Sequence, residues 1–440
     1  MHTIVEIDGT GKLPVDAFRA RLRAFIAPML PFLPEKRLRA IPALAIQGSL
    51  AGRSPLITRI AAGAAHLQGT SWPLAKRLYR FLWNKRFSHR HLLKGLYALA
   101  QQVVAAERPK YLLIALDPVN FEKPYTRALE GMSTVMKATP PRMDGGKRLT
   151  SGYPAITATV VNLATPVITY ANWFSYQSET FISQPREVYH ALRTTRALFP
   201  EEHLCFLGDA GLDDQALFQQ MQRFKASFII RACHNRLIQV YARERHLWET
   251  HLLQDDATSL PAQATSRVLF CHARRWRITE VNLAWFAFRL PETEQRLHAI
   301  VAYDPDEDRY LILLTNLVLR DAKTTLAVYR AWRFRPQIEH IYRFDQEDGL
   351  HIEDISVHTL ERMRRVFILV LLAALFIYDL AHTGEPALVL WLRHLGGKLG
   401  CKSDCDGPYI LLAGIAMFLN TVATLHFVQR SPLPAGLTCG

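Results

Sequence analysis

Residues 14–26 (PVDAFRARLRAFI) place apolar side chains at helical spacing and predict a helix. Pro28, Pro31 and Pro34 follow, with the basic run Lys36-Arg37-Leu38-Arg39, a composition expected of a linker or arm. Residues 55–67 and 73–83 predict two further helices about the turn Gly69-Thr70-Ser71, with Ser71 as N-cap and Pro73 in the first helical turn. The second of these helices carries Lys76, Arg77 and Arg80, with Lys85 and Arg86 at its end. Positions 76 and 80 share a face, with 77 beside it. Such a helix-turn-helix-like pair can lie along a DNA groove; the plainer reading is a helical hairpin with a solvated basic face.

The period changes at Tyr111. YLLIALD (111–117) is a short apolar run ending in Asp117 and predicts a buried strand. Residues 155–163 and 166–174 predict a β-hairpin, 186–199 a helix, HLCFLGD (203–209) a second strand ending in an acid, 213–224 a helix and 227–233 a strand. A hairpin followed by a β-α-β unit implies a mixed sheet with helices, in the ribonuclease H style. Residues 234–322 differ: WRITEVNLAWFAFRL, LHAIVAYD and RYLILLTNL read as antiparallel strands with polar turns. Helical pattern returns at 323–333 and again from Pro336.

The run 366–378 (VFILVLLAALFIY) is the most apolar in the chain. At 13 residues it falls short of the roughly 18–20 that cross a bilayer, and Arg364, Arg365 and Asp379 flank it, so a buried core helix is expected. Residues 409–428 are interrupted by Asn420, Thr421, Thr424 and His426, as in a packed helix or an interface. The expected organisation is an α/β protein: a helical basic domain (1–110), a core (111–233), a β-rich insertion domain (234–322), the last helices of the core (323–385) and a helical C-terminal region (386–440).

Composition adds a partner class. The net charge is +14, from 53 Lys and Arg against 39 Asp and Glu. Residues 1–110 alone carry 18 basic and 5 acidic side chains, so nearly the whole excess lies in the first quarter. A localised basic block points to a polyanion such as DNA. An apolar content of 49% with 21% charged residues excludes a disordered chain. The first residues hold Glu6 and Asp8 and lack a basic stretch before an apolar core, so no secretory signal peptide is expected. Six cysteines (Cys205, Cys233, Cys271, Cys401, Cys405, Cys439) fit free thiols in a reducing cytosol, and a cytoplasmic location is expected.

Asp117 and Asp209 each end an apolar strand. On neighbouring strands their carboxylates would stand side by side, and paired carboxylates repel unless a cation neutralises them. Hard oxygen donors suit Mg²⁺, and two such ions about 4 Å apart can activate an attacking oxygen and stabilise a leaving one at phosphorus. Glu339, on a helix over the sheet, is the candidate third acid. Singly, each has a plainer role: a strand-ending Asp as turn former or cap, Glu339 as a solvated helix residue. Asp213 and Asp214 fall where the next helix starts and are expected as caps. Glu122 lies off the strand. Glu347, Asp348, Glu353 and Asp354 lack the Arg-x-x-x-Glu spacing that Arg335 and Glu339 have. Gly9-Thr10-Gly11-Lys12 lacks the spacing of a phosphate loop.

Three segments carry a family resemblance: LLIALDPVNF with Asp117; CFLGDAGLDDQALF with Gly208-Asp209-Ala210-Gly211; and LLTNL (313–317) followed by WRFRPQIEHIYRF (332–344). Over roughly residues 54–380 the chain is similar to bacterial insertion-sequence DDE transposases, in the family-four branch that carries a β-strand insertion. That family's signature is Tyr, two residues, Arg, three residues, Glu, six residues, Lys. Arg335 and Glu339 fit it; Trp332 stands in the Tyr position and Gln346 in the Lys position, with Arg343 able to supply a charge from the helix face of Glu339. The resemblance implies a ribonuclease H-like catalytic core interrupted by the insertion. It also implies catalytic, metal-holding Asp117, Asp209 and Glu339 with two Mg²⁺ ions (Mn²⁺ able to substitute), and Trp332, Arg335 and Arg343 at the DNA. The aromatic that holds a flipped base in the family falls here at Leu311. Its neighbour Tyr310 is expected in the core, and Trp276, among Arg274, Arg275 and Arg277, is another possible stacker.

The expected function is a transposase. It would bind terminal inverted repeats of double-stranded DNA, cut the element ends and join the 3′-hydroxyls to target DNA, as a homodimer formed on DNA through residues 386–440 and without a membrane. The alternative is a catalytically inactive transposase-derived DNA-binding protein. A membrane-associated protein using residues 366–378 ranks third.

Overall fold

The computed structural model describes residues 14–65, 70–124, 126, 128–137, 148–272, 275–343, 349–397 and 407–430. The first described element is helix α1 (Val15–Ile26), whose Phe18, Leu22, Phe25 and Ile26 are buried at the predicted spacing. The proline-rich stretch that follows is not a free linker. It winds into short 3₁₀ turns because Met29, Leu33 and Leu38 recur often enough to enter the same core. Next come α2 (Ile41–Gly52), α3 (Ile57–Ala64), α4 (Ser71–Trp83) and α5 (His89–Glu107). The N-cap of α4 is Thr70, one residue before the expected Ser71. Helices α2 and α3 touch backbone to backbone: a Cβ on Gly48 would lie 2.1 Å from the Ile60 carbonyl oxygen.

The sheet is built outward from β1 (Leu112–Glu122). Leu113 and Ala115 enter the core on one face, Leu112, Ile114 and Leu116 that on the other, as strand alternation requires. β2 (Ser133–Met136), β3 (Leu149–Val160) and β4 (Val167–Trp173) follow; β3 is antiparallel to all three of β1, β2 and β4. α6 (Gln184–Leu198) leads into β5 (Leu204–Gly208), which runs parallel to β1; α7 (Gln215–Arg223) leads into β6 (Ser227–Arg231), parallel to β5. Both helices pack on the face of Leu112, Ile114 and Leu116.

The next segment contains β7 (Leu237–Ala242), β8 (Leu247–Leu252), α8 (Leu253–Ser259), β9 (Ala264–His272), β10 (Arg275–Arg289), β11 (Arg296–Asp304) and β12 (Arg309–Thr315). β12 returns to lie antiparallel to β6, with Thr315 opposite Ile229, so these strands extend the same sheet. Among the described residues it has 12 strands. The polar pair in LLTNL fastens the junction. Thr315 Oγ1 donates to the Phe228 carbonyl at 2.6 Å, and Asn316 accepts from Phe228 N at 3.0 Å and donates to the Ala226 carbonyl at 3.0 Å.

α9 (Ala322–Trp332) and α10 (Pro336–Arg343) then cross back, followed by α11 (Leu360–Thr383), α12 (Pro386–Gly396) and α13 (Pro408–Arg430). The apolar run 366–378 is the middle of α11, and every residue from Arg365 to Ile377 is buried. By length and composition α11 and Pro408–Phe427 could each cross a membrane, but the apolar window is 78% buried within the fold in α11 and 39% in α13. α11 shares one core with α1, α2, α4 and α5. Buried Arg365 donates to the Leu82 carbonyl at 2.6 Å and to that of Asn84 at 3.2 Å, and Arg21 Nε donates to Asp379 at 2.8 Å. The protein is thus a mixed α/β fold with a large mixed sheet.

Candidate active site

Period-two alternation sets the site. In β1, Asp117 has the parity of Leu113 and Ala115; after β5, Asp209 has the parity of Cys205 and Leu207. Both carboxylates therefore face the side of the sheet away from α6 and α7. Register pairing between β1 and β5 runs to Ala115 opposite Leu207, so the next same-face residues are the two acids. Over this face lies the α9–α10 corner. Pro336 opens α10, its missing N–H costing nothing in the first turn, and Glu339 sits in that turn. Ile338 beside it is buried in the core.

The three acids meet at one guanidinium. Arg335, at the corner, has a side chain only 9% exposed. Its Nη2 lies 3.2 Å from Asp117 Oδ1 and 3.7 Å from Asp209 Oδ2, while Nη1 contacts Glu339 Oε1. Arg335 Nε is buried without a hydrogen bond. Trp332 Nε1 donates to the Gly208 carbonyl at 3.2 Å, which ties the end of α9 to the residue before Asp209. Burial pushes the Asp117 carboxyl up to about 6; the charge and hydrogen bond of Arg335 oppose that rise, and the neighbouring Asp209 carboxylate adds to it.

Asp117, Asp209, Glu339, Arg335 and Trp332 are therefore together. The side chain of Arg343 and residues Gln346, Glu347 and Asp348 lie outside the described residues, as do the side chain of Trp276, Cys401, Cys405, Cys439 and Gly9–Lys12. Lys76, Arg77 and Arg80 lie on α4, with exposed Lys85 and Arg86 just beyond it, and none joins the acids.

Sequence reasoning missed Arg231, whose Nη1 is 3.7 Å from Asp209 Oδ1. Its signal was parity, since it follows Ile229 on the same face of β6. Asp214 is the N-cap of α7, accepting from Leu217 N at 2.9 Å. Asp213 does not cap α7: its buried carboxylate accepts from Cys233 N at 2.8 Å and Arg236 Nε at 3.1 Å, fixing the exit from β6. Glu353 and Asp354 act electrostatically on buried Lys123, whose Nζ donates to the Ile355 carbonyl at 2.7 Å. Tyr310 is not a core residue either; it is 45% exposed, its ring 4.6 Å from that of Tyr303, while Leu311 packs partly into the core.

Among the described residues no three His, Cys, Asp or Glu side chains already form a metal-holding group. The donor set nevertheless fits a hard divalent cation: three carboxylates converge, and a single guanidinium now bridges them. Compared with family models and with curated proteins, the chain matches none.

Proposed function

We propose that the protein is a DNA transposase acting through metal-dependent phosphoryl transfer on a ribonuclease H-like core. The observation that carries this reading is the convergence of Asp117, Asp209 and Glu339, from two adjacent strands and an overlying helix, on Arg335. The strand order supports the core assignment. β4, β3 and β1 are successive antiparallel neighbours, and β5 and β6 continue in parallel with β1. The basic excess of residues 1–110 supports a DNA partner.

Asp117, Asp209 and Glu339 would hold two Mg²⁺ ions, or Mn²⁺, which when bound supply activation of the attacking oxygen and charge compensation at the leaving oxygen. Arg335 and Arg231 provide guanidinium groups for phosphate oxygens next to the carboxylates. Trp332 positions Arg335 and Glu339 by anchoring the corner to Gly208. Water attacks the phosphodiester at an element end, and the freed 3′-hydroxyl then attacks target DNA. Lys76, Arg77, Arg80, Lys85 and Arg86 contact the DNA, and residues 386–440 join two copies on DNA in the cytoplasm.

The test is cutting of DNA that carries the inverted repeats flanking the coding region, in Mg²⁺. Asp117→Asn, Asp209→Asn and Glu339→Gln should each abolish cutting and keep DNA binding. Wild-type cutting by all three variants refutes the assignment. The second reading, a transposase-derived binder that does not cut, draws on Trp332 and Gln346 in place of Tyr and Lys; end-specific binding without cutting in Mg²⁺ or Mn²⁺ would favour it.

A further inference from the structure

Helix α4 buries Leu74, Ala75, Leu78, Phe81 and Leu82 and turns a different stripe outward. Trp72, Lys76, Tyr79 and Trp83 follow one another at helical spacing along that stripe. Trp72 is 60% exposed and Trp83 56%. Between the stripe and residues 356–362 runs a groove of about 480 Å³, lined also by Arg80 and Arg362 and, among the described residues, by no carboxylate. Lys76 Nζ stands 5.4 Å from the Trp72 ring centre, and Arg362 Cζ 5.2 Å from that of Trp83. Arg365 holds the end of α4 to α11, so the groove is preformed on fixed elements.

Two exposed indoles with three cations define the occupant by chemistry. An apolar partner would leave Lys76, Arg80 and Arg362 uncompensated, and an acidic peptide would leave the indoles without a flat partner. A base-paired duplex offers phosphates but keeps its base faces inside the stack. An unpaired DNA strand offers both: bases to stack on the indoles and phosphates for the cations. Trp72 and Trp83 are about 16 Å apart along the helix axis, room for a run of bases rather than one. We propose that the α4 groove binds a short unpaired DNA segment, its bases on Trp72 and Trp83 and its phosphates on Lys76, Arg80 and Arg362. This rests on the reading that the chain acts on DNA, and it adds a site for a melted strand apart from the acids.

The test uses the full chain and a fluorescent thymidine oligonucleotide of roughly 12 nucleotides, a blunt duplex, and that duplex with an unpaired tail. Trp72→Ala/Trp83→Ala removes two exposed side chains, and circular dichroism checks that the fold is kept. The oligonucleotide should quench wild-type tryptophan fluorescence, the tail should strengthen binding over the blunt duplex, and the double variant should lose single-strand affinity by about tenfold or more while its blunt-duplex affinity stays within about twofold. Asp117→Asn, deficient in cutting, should quench as wild type does. Unchanged single-strand affinity in the double variant overturns the proposal, as does a double variant altered in sedimentation instead of DNA affinity. If wild type binds and cuts element ends but ignores unpaired strands, only the groove assignment falls. If it binds no DNA of any form, the transposase reading falls with it.

Discussion

Replacing Arg335 with Gln removes one positive charge from among three carboxylates. The pair with Asp117 dominates: the two side chains are 9% and 17% exposed and 3.2 Å apart. At an effective dielectric near 20, unit charges about 4 Å apart interact by about 4 kcal/mol, and deleting one partner of a buried pair costs about 3–5 kcal/mol. Asp209 and Glu339, with side chains 44% and 47% exposed, add only about 0.2–1 kcal/mol each because water screens them. Arg335→Gln should therefore destabilise the metal-free protein by about 3–5 kcal/mol at pH 8. The loss should shrink at pH 5, where Asp117 is mostly protonated, and millimolar Mg²⁺ should recover part of it by supplying the missing positive charge. Urea unfolding in EDTA and in Mg²⁺, at both pH values, measures this. A variant as stable as wild type in EDTA at pH 8, or a loss indifferent to both pH and Mg²⁺, would refute the electrostatic account of the corner.

Other outcomes follow from the same structure. The Asp117 carboxyl titrates near 6 when folded, against an ordinary 3.8, so between those values the folded state holds the extra proton. The contribution of this carboxyl to the stability of metal-free wild type should then fall by up to about 3 kcal/mol as pH rises from 4 to 6, a slope that Asp117→Asn removes in EDTA melts. Burial pushes Lys123 down to about 8 from 10.5, against the pull of Glu353 and Asp354. The unfolded chain binds the extra proton in that window, so stability should rise from pH 8 to 10, a rise that Lys123→Met flattens in urea titrations. Gly48→Ala forces a Cβ against the Ile60 carbonyl and should cost about 1–3 kcal/mol, read as a lower urea midpoint.

Much of the central sheet was legible because its strands are short apolar runs with a clear end. β5 and β6 lie where HLCFLGD and SFIIRAC predicted them, and the β3–β4 pair where a hairpin was expected; β1 begins as YLLIALD predicted but does not end at Asp117, because it stays paired with β3 as far as Glu122, which puts Asp117 inside the strand and Glu122 on it. The spacing of Arg335 and Glu339 was legible too, but not that one guanidinium reaches three acids, since that depends on how the α9–α10 corner settles over β1 and β5. Helix α2 escaped notice because it is apolar on every side and shows no periodic face. Pairing of β12 with β6 is a contact across many residues, encoded by Thr315 and Asn316 bonding to a strand they do not adjoin in sequence. The role of Asp213 was hidden for the same reason, because its partners Cys233 and Arg236 lie beyond β6.

The central claim is that Asp117, Asp209 and Glu339 act as one metal-dependent centre on DNA. Its most direct measurement is strand cleavage in Mg²⁺ of a duplex bearing the flanking inverted repeats, scored for wild type and for Asp117→Asn, Asp209→Asn and Glu339→Gln alongside their binding to the same duplex. The account predicts cutting by wild type alone, with binding retained in all four proteins. Cutting at wild-type rates by the three variants would contradict it.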